Sequence, residues 1–170
     1  MLNRQEIEKL IKEKGLVIGY IDLDTQLTPN GLDLTVAEIF EFDAGGALDF
    51  SNKDRKVPEG EKRLPKKQKP NDKFGWWKLK RGAYKVRTNE VVNLPRDLIA
   101  LAFSRTSLLR MGAFTQHGVW DAGFKGRGEF VLVVENPFGV SIKQNARIAQ
   151  LIFTRINETN RGYEGIYREK

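Results

Sequence analysis

The chain contains no cysteine and a single histidine, His117. Without cysteine no disulfide and no thiolate-ligated metal centre can form, and a zinc site of the histidine/cysteine type lacks its ligands. Long apolar runs are missing too. Nothing approaches the ~20 consecutive apolar residues that span a bilayer, and the polar start Met1-Leu2-Asn3-Arg4 has no signal-peptide core. These absences make a cytoplasmic protein the expectation. Proline is scarce: of six, three fall between Gly45 and Gly75, which concentrates chain breaking in one segment.

What is present is an ordinary globular balance. Of 170 residues, 40% are apolar and 30% charged, which suits a single domain with its own core. The net charge is +7. A solvated basic surface and a polyanionic ligand both account for such an excess. No recognition-helix or RNA-binding motif accompanies it, so nucleic acid is not the expected partner.

Asn3 and Glu6 have the spacing of a capping box, Ile7, Leu10 and Ile11 follow at helical spacing, and Gly15 suits a C-terminal cap. This predicts one short helix over residues 4–14. Beyond it, residues 16–20, 33–42, 83–87, 98–104, 129–135 and 147–156 read as short strands separated by Gly, Pro and Asn. One helix and many strands argue for an all-β sandwich, jelly roll or barrel. Residues 45–75 carry charge runs such as Lys66-Lys67-Gln68-Lys69 and read as an exposed insertion. Trp76-Trp77 marks the return to the core.

Four segments carry candidate chemistry. In Ser104-Arg105-Thr106-Ser107-Leu108-Leu109-Arg110 a strand runs into hydroxyls flanked by arginines, a donor set suited to phosphate oxygens; alone it would equally be a capped surface turn. In Gly118-Val119-Trp120-Asp121-Ala122-Gly123-Phe124-Lys125-Gly126 three glycines allow close backbone approach around one carboxylate and one ring. Asp121 there is a candidate general base and Phe124 a ring to pack on a sugar or base. In Asn145-Ala146-Arg147-Ile148-Ala149-Gln150-Leu151 strand alternation puts Gln150 on an apolar face, where its amide needs a partner. Asn30-Gly31-Leu32-Asp33-Leu34 sets a carboxylate at a strand start.

In this order the four segments resemble the motifs of the trimeric dUTPase/dCTP-deaminase superfamily. The resemblance covers nearly the whole chain outside 45–75, and the N-terminal helix and the insertion are closest to its deaminase branch and its archaeal dUTPases. It implies a distorted β-barrel, jelly-roll-like dUTPase fold, assembled as a homotrimer with sites between subunits. It implies that Arg105, Thr106 and Ser107 hold phosphates, with Arg110 a further contact, and that Gln150 touches the triphosphate. Asp121 would activate water, Phe124 would pack under deoxyribose, and Asp33 would order water around a Mg²⁺ ligated mainly by the triphosphate. Tyr167, in a mobile tail over 157–170, would stack on the base, with Arg161 and Arg168 as helpers. Arg168 lies outside the residues the structure describes.

The resemblance leaves two activities to separate: hydrolysis of dUTP to dUMP and diphosphate, and metal-free deamination of dCTP, alone or combined with hydrolysis. A nucleotide-binding regulator is a third reading. Deamination in this superfamily uses a glutamate ten residues after the loop aspartate. Counted from Asp121 that position is Val131, or Phe130 or Leu132 with a one-residue bulge, and none of these moves a proton. Glu129 shares the side-chain parity of Val131, Glu135 ends the strand, and Thr106 stands where the deaminase pattern has serine. The expectation is therefore a dUTP diphosphatase.

Overall fold

The structure, a computed structural model, describes residues 1–167. Helix α1 spans Arg4–Lys14, as the capping box predicts. The Asn3 side chain accepts from the Glu6 amide, the Glu6 carboxylate accepts from the Asn3 amide, and Gly15 closes the helix at φ +62°. Ile7 and Ile11 are its buried face. Two short helices went unpredicted: α2 (Leu23–Gln26) and α3 (Thr106–Arg110).

Among the described residues, eleven strands follow the all-β expectation, with different bounds. They are β1 (Val17–Ile18), β2 (Leu27–Thr28), β3 (Gly31–Glu41), β4 (Glu61–Arg63), β5 (Trp76–Leu79) and β6 (Gly82–Asn93). The rest are β7 (Leu98–Ser104), β8 (Ala113–Gln116), β9 (Lys125–Val134), β10 (Val140–Lys143) and β11 (Arg147–Arg155). The segment expected at 16–20 shrinks to two residues because Gly19 turns the chain at φ +76°. The segment expected at 83–87 extends to Asn93 across a register break between Arg87 and Val91, which scrambles the alternation that marks a strand. Strands β2, β4, β5, β8 and β10 are at most four residues long, too short to show a period.

The main sheet runs β7-β11-β3-β6-β9-β8, with β1 added to β6 and both β2 and β4 to β3; β5 and β10 pair separately. The two ends of this path meet. The Thr115 amide on β8 donates to Ser104 Oγ on β7 at 2.8 Å, and Ser104 Oγ lies 3.1 Å from the Thr115 carbonyl. One hydroxyl thus bridges the seam of a nearly closed barrel. Leu32, Leu34, Val36, Val86, Val92, Leu132, Val134, Leu151 and Phe153 fill its interior. Part of the 45–75 insertion joins the sheet: β4 pairs with Ile39–Glu41 of β3, and Lys66 bridges to Trp76.

One buried carboxylate ties three elements together. Glu90 on β6 has no exposed surface. It accepts from the Thr35 amide at 2.9 Å, the Thr35 hydroxyl at 2.5 Å and Gln26 Nε2 at 2.8 Å. Gln26 Nε2 also donates to the Asp33 carbonyl, and its Oε1 accepts from the Ile21 and Asp22 amides. Burial pushes the Glu90 carboxyl above its ordinary range, against the pull of these donors. Truncation strands donors that cannot easily reach water, each costing about 1–3 kcal/mol. Glu90→Ala is expected to lower unfolding stability by about 3 kcal/mol, read as a fall in the denaturant midpoint, with Glu90→Gln in between; an unchanged midpoint in the alanine variant contradicts this role.

Candidate active site

The residues singled out above fall into two groups. The first lies where β3, β7 and β11 adjoin. Asp33 is 2% exposed. Its Oδ2 accepts from Arg147 NH1 at 3.2 Å and forms an ion pair with Arg105, whose Nε lies 3.0 Å away. Arg105 NH1 also donates to the Arg147 carbonyl, and Arg147 NH1 to the Thr25 carbonyl at 2.7 Å. Two half-buried guanidinium groups are thereby fixed at the start of α3 and the start of β11. Burial pushes the Asp33 carboxyl above its usual range despite both arginines. The Asp33 carboxylate is therefore no lone turn residue at a strand start; it is the anchor of an arginine pair within β3.

Gln150 belongs to this group, and it shares a face with Ile152 as alternation suggests, though that face is half-exposed and Ile148 is not on it. A register shift between Arg147 and Ala149 buries both Ile148 and Ala149, and Gln150 then falls in phase with half-exposed Ile152 and Thr154. Its Nε2 donates to Thr28 Oγ1 at 2.7 Å. A Cβ at Gly31 would meet the Leu151 carbonyl at 2.6 Å and Gln150 Nε2 at 3.0 Å, so glycine is what lets β3 and Gln150 pack. Thr106, Ser107 and Arg110 are exposed on α3. Among the described residues none of their side chains bonds to protein, which leaves two hydroxyls and a guanidinium facing solvent.

The second group lines a pocket of about 360 Å³ on β6 and β9, walled by Trp120, Phe124, Phe130, Val131, Tyr163 and Tyr167. A pocket of this size suits a small organic ligand, whose sites run to about 300–1,000 Å³. Phe124 is 8% exposed; Gly123 at φ +79° turns the chain into it, and Tyr163 meets its ring edge-on at 5.4 Å. The Tyr163 amide donates to the Ala122 carbonyl at 2.8 Å, and Thr159 to the Arg96 carbonyl at 3.1 Å. The start of the C-terminal segment is thus strapped over the 121–124 loop, and Tyr167 reaches the pocket beyond it. Asp121 is exposed beside the pocket wall, its carboxylate unbonded among the described residues.

Glu129 lies at the pocket, where its Oε1 accepts from Arg87 Nε at 2.6 Å within an ion pair. Arg105, Ser107, Gln150 and Asp33 do not line this pocket. The sequence points to both groups and not to their separation. It also misses Lys85, Tyr163 and the insertion's Val57, which contribute to the pocket wall. Tyr163 follows a glycine in a tail with no period, and the place of Lys85 depends on strand register.

His117 stands behind the wall. Its ring packs on Phe130 at 4.1 Å and Trp120 at 5.7 Å, Nε2 lies 2.8 Å from Thr115 Oγ1, and Nδ1 is buried with no hydrogen-bond partner among the described residues. Burial lowers its pKa from 6.5 to about 4.

The sequence profile of the dCTP deaminase-like family matches residues 1–156. A Methanosarcina mazei protein named "probable deoxyuridine 5′-triphosphate nucleotidohydrolase" is 45% identical over 174 residues, 100% of this chain and 97% of the relative. An Archaeoglobus fulgidus protein of the same name is 40% identical over 168 residues, 99% of this chain and 95% of the relative. Among solved structures, the 2′-deoxycytidine 5′-triphosphate deaminase of Agrobacterium tumefaciens superposes with a TM-score of 0.64 at 22% identity over 92% of this chain. The chain spans about half of that protein, 48% of its length, and the likeness is one of fold.

The His117 ring generates a prediction. In the unfolded chain it takes up a proton near its ordinary 6.5; in the folded protein, only near 4. Between those values the unfolded state binds more protons, so stability falls as pH drops from 6.5 toward 4. His117→Phe keeps the ring contacts and removes the titration. Its melting temperature is expected to fall less than the wild type's over that interval; parallel falls contradict the assignment.

Proposed function

The chain belongs to the dCTP deaminase-like family, and we propose that within it this member is a dUTP diphosphatase, hydrolysing dUTP to dUMP and diphosphate. The observation that carries hydrolysis over deamination is the pocket wall. Val131, the position counted for a proton-shuttling glutamate, is an isopropyl group in the pocket. Glu129, the nearest substitute, has Oε1 occupied by Arg87. Full-length relatives named for dUTP hydrolysis support the same choice.

On this reading the pocket takes the deoxyuridine. Phe124, backed by Tyr163, packs under the sugar and leaves a 2′-hydroxyl no room and no partner, and Tyr167 stacks on the base. Arg105, Thr106 and Ser107 donate to phosphate oxygens, assisted by Arg110 and Gln150. Asp121 accepts a proton from water as the water oxygen bonds to the α-phosphorus; the bond from that phosphorus to the bridging oxygen breaks, and diphosphate leaves.

Among the described residues no three carboxylates or histidines converge on one point, and Asp33 Oδ2 is held by the arginines while Oδ1 accepts no hydrogen bond. That donor set fits a Mg²⁺ carried by the triphosphate, with Asp33 Oδ1 ordering a water of its shell. Bound there, the ion would offset phosphate charge. The anion group and the pocket share no wall, which supports a homotrimer in which one subunit's anion group faces another's pocket. The setting is the cytoplasm, with no membrane partner.

Purified protein with Mg²⁺ is expected to release diphosphate from dUTP and no ammonia from dCTP; ammonia from dCTP overturns the proposal, as does a protein that leaves dUTP intact. Asp121→Asn should still bind dUTP while turnover falls about 10²–10⁴-fold. Near-normal turnover removes Asp121 from the mechanism.

A further inference from the structure

We propose that Lys85 reads the 4-carbonyl oxygen of the pyrimidine and so selects uracil over cytosine, an inference that rests on the pocket taking a deoxynucleotide. The residue is 8% exposed. It lines the 360 Å³ pocket and a smaller adjoining one of about 180 Å³. Its Nζ lies 3.6 Å from Glu59 and 3.9 Å from Glu129, both beyond hydrogen-bond reach, and 4.9 Å from the centre of the Phe40 ring. Among the described residues it makes no hydrogen bond. The ammonium is thus balanced by two ion pairs and a ring that take none of its three N–H groups at hydrogen-bond distance, which leaves donors for an acceptor that enters the pocket.

The strand register says which ligand atom that is. Lys85 pairs with Val131, while Asn93 pairs with Lys125, the residue after Phe124. Between Lys125 and Val131, β9 advances six residues, about 20 Å at ~3.3 Å each. Phe124 and Lys85 therefore reach into the pocket from opposite ends. With deoxyribose against Phe124, the edge of the base farthest from the glycosidic bond, at C4, points toward Lys85. In uracil that edge carries a carbonyl oxygen, an acceptor. In cytosine it carries an amine, which only donates and faces an ammonium that only donates. A site built to bond one group rejects a ligand that leaves its buried polar group unpaired.

The test compares kcat/KM for diphosphate release from dUTP, from dCTP and from the deoxyribonucleoside triphosphate of 2-pyrimidinone, which bears hydrogen at C4. Wild type should favour dUTP over both. In Lys85→Met the dUTP preference should shrink about tenfold or more, mainly through KM, and the penalty for the 2-pyrimidinone substrate should largely vanish. Lys85→Arg keeps the charge and the contact with Phe40, and should restore part of the preference. A folded Lys85→Met with an unchanged dUTP/dCTP ratio overturns the assignment while leaving the hydrolase reading intact. If Lys85→Met does not fold, equal wild-type turnover of dUTP and the 2-pyrimidinone substrate overturns it. A wild type inert toward dUTP overturns the hydrolase reading, and this inference with it.

Discussion

Two buried carboxylates, Glu90 on β6 and Asp33 on β3, hold the molecule's polar architecture in place. Glu90 takes the Thr35 amide, the Thr35 hydroxyl and the Gln26 amide. Gln26 in turn grips the Asp33 carbonyl, and the Asp33 carboxylate holds Arg105 and Arg147. The line runs from β6 through α2 and β3 to β7 and β11. Two guanidinium groups brought together would repel each other and wander over many rotamers. Pinned to one buried carboxylate, they keep a fixed spacing and lose little further freedom when an anion arrives. The cost of burying Asp33 is set against that order, and its raised pKa is the trace of the cost.

The opposite side of the barrel works by shape. Strands β6 and β9 present a floor on which Trp120, Phe124, Phe130 and Tyr163 make an apolar box, and the strap from Thr159 to Tyr163 holds the loop that carries Phe124 and Asp121. Charge enters this box through Lys85, Arg127 and Glu129. On the proposed reading, part of the +7 net charge serves both sites, in arginines set for phosphates and in a lysine at the aromatic pocket.

How much of this could be read beforehand follows from the length scale of each signal. The helix at 4–14 was legible because its caps and its apolar spacing are local. The strand at 98–104 was legible because it is uninterrupted. The strand at Gly82–Asn93 was half seen, since its register break hides the period. Gln150 was singled out correctly as a polar group needing a partner and shares a face with Ile152 as alternation predicts, but that face is half-exposed rather than apolar. Asp33 looked like an isolated carboxylate because its partners are about seventy and a hundred and fourteen positions away, a separation no local pattern records. Lys85 gave no signal, because only the pairing of β6 with β9 puts it across from Val131.

On the reading proposed here, neither group is a complete site: the pocket that takes the nucleoside is not lined by Arg105, Thr106, Ser107 or Gln150. A complete site therefore needs the two joined across a subunit boundary. The direct measurement is activity of a mixed assembly. Ser107→Glu puts a carboxylate among the phosphates, Asp121→Asn removes the base, and each homogeneous variant should be nearly inactive on dUTP. Co-expressed in equal amounts and purified together, they should recover about a quarter of wild-type activity, because about one boundary in four then pairs an intact pocket with an intact anion group. A mixed assembly as inactive as its parents would show that both groups serve the same chain, and would contradict the account.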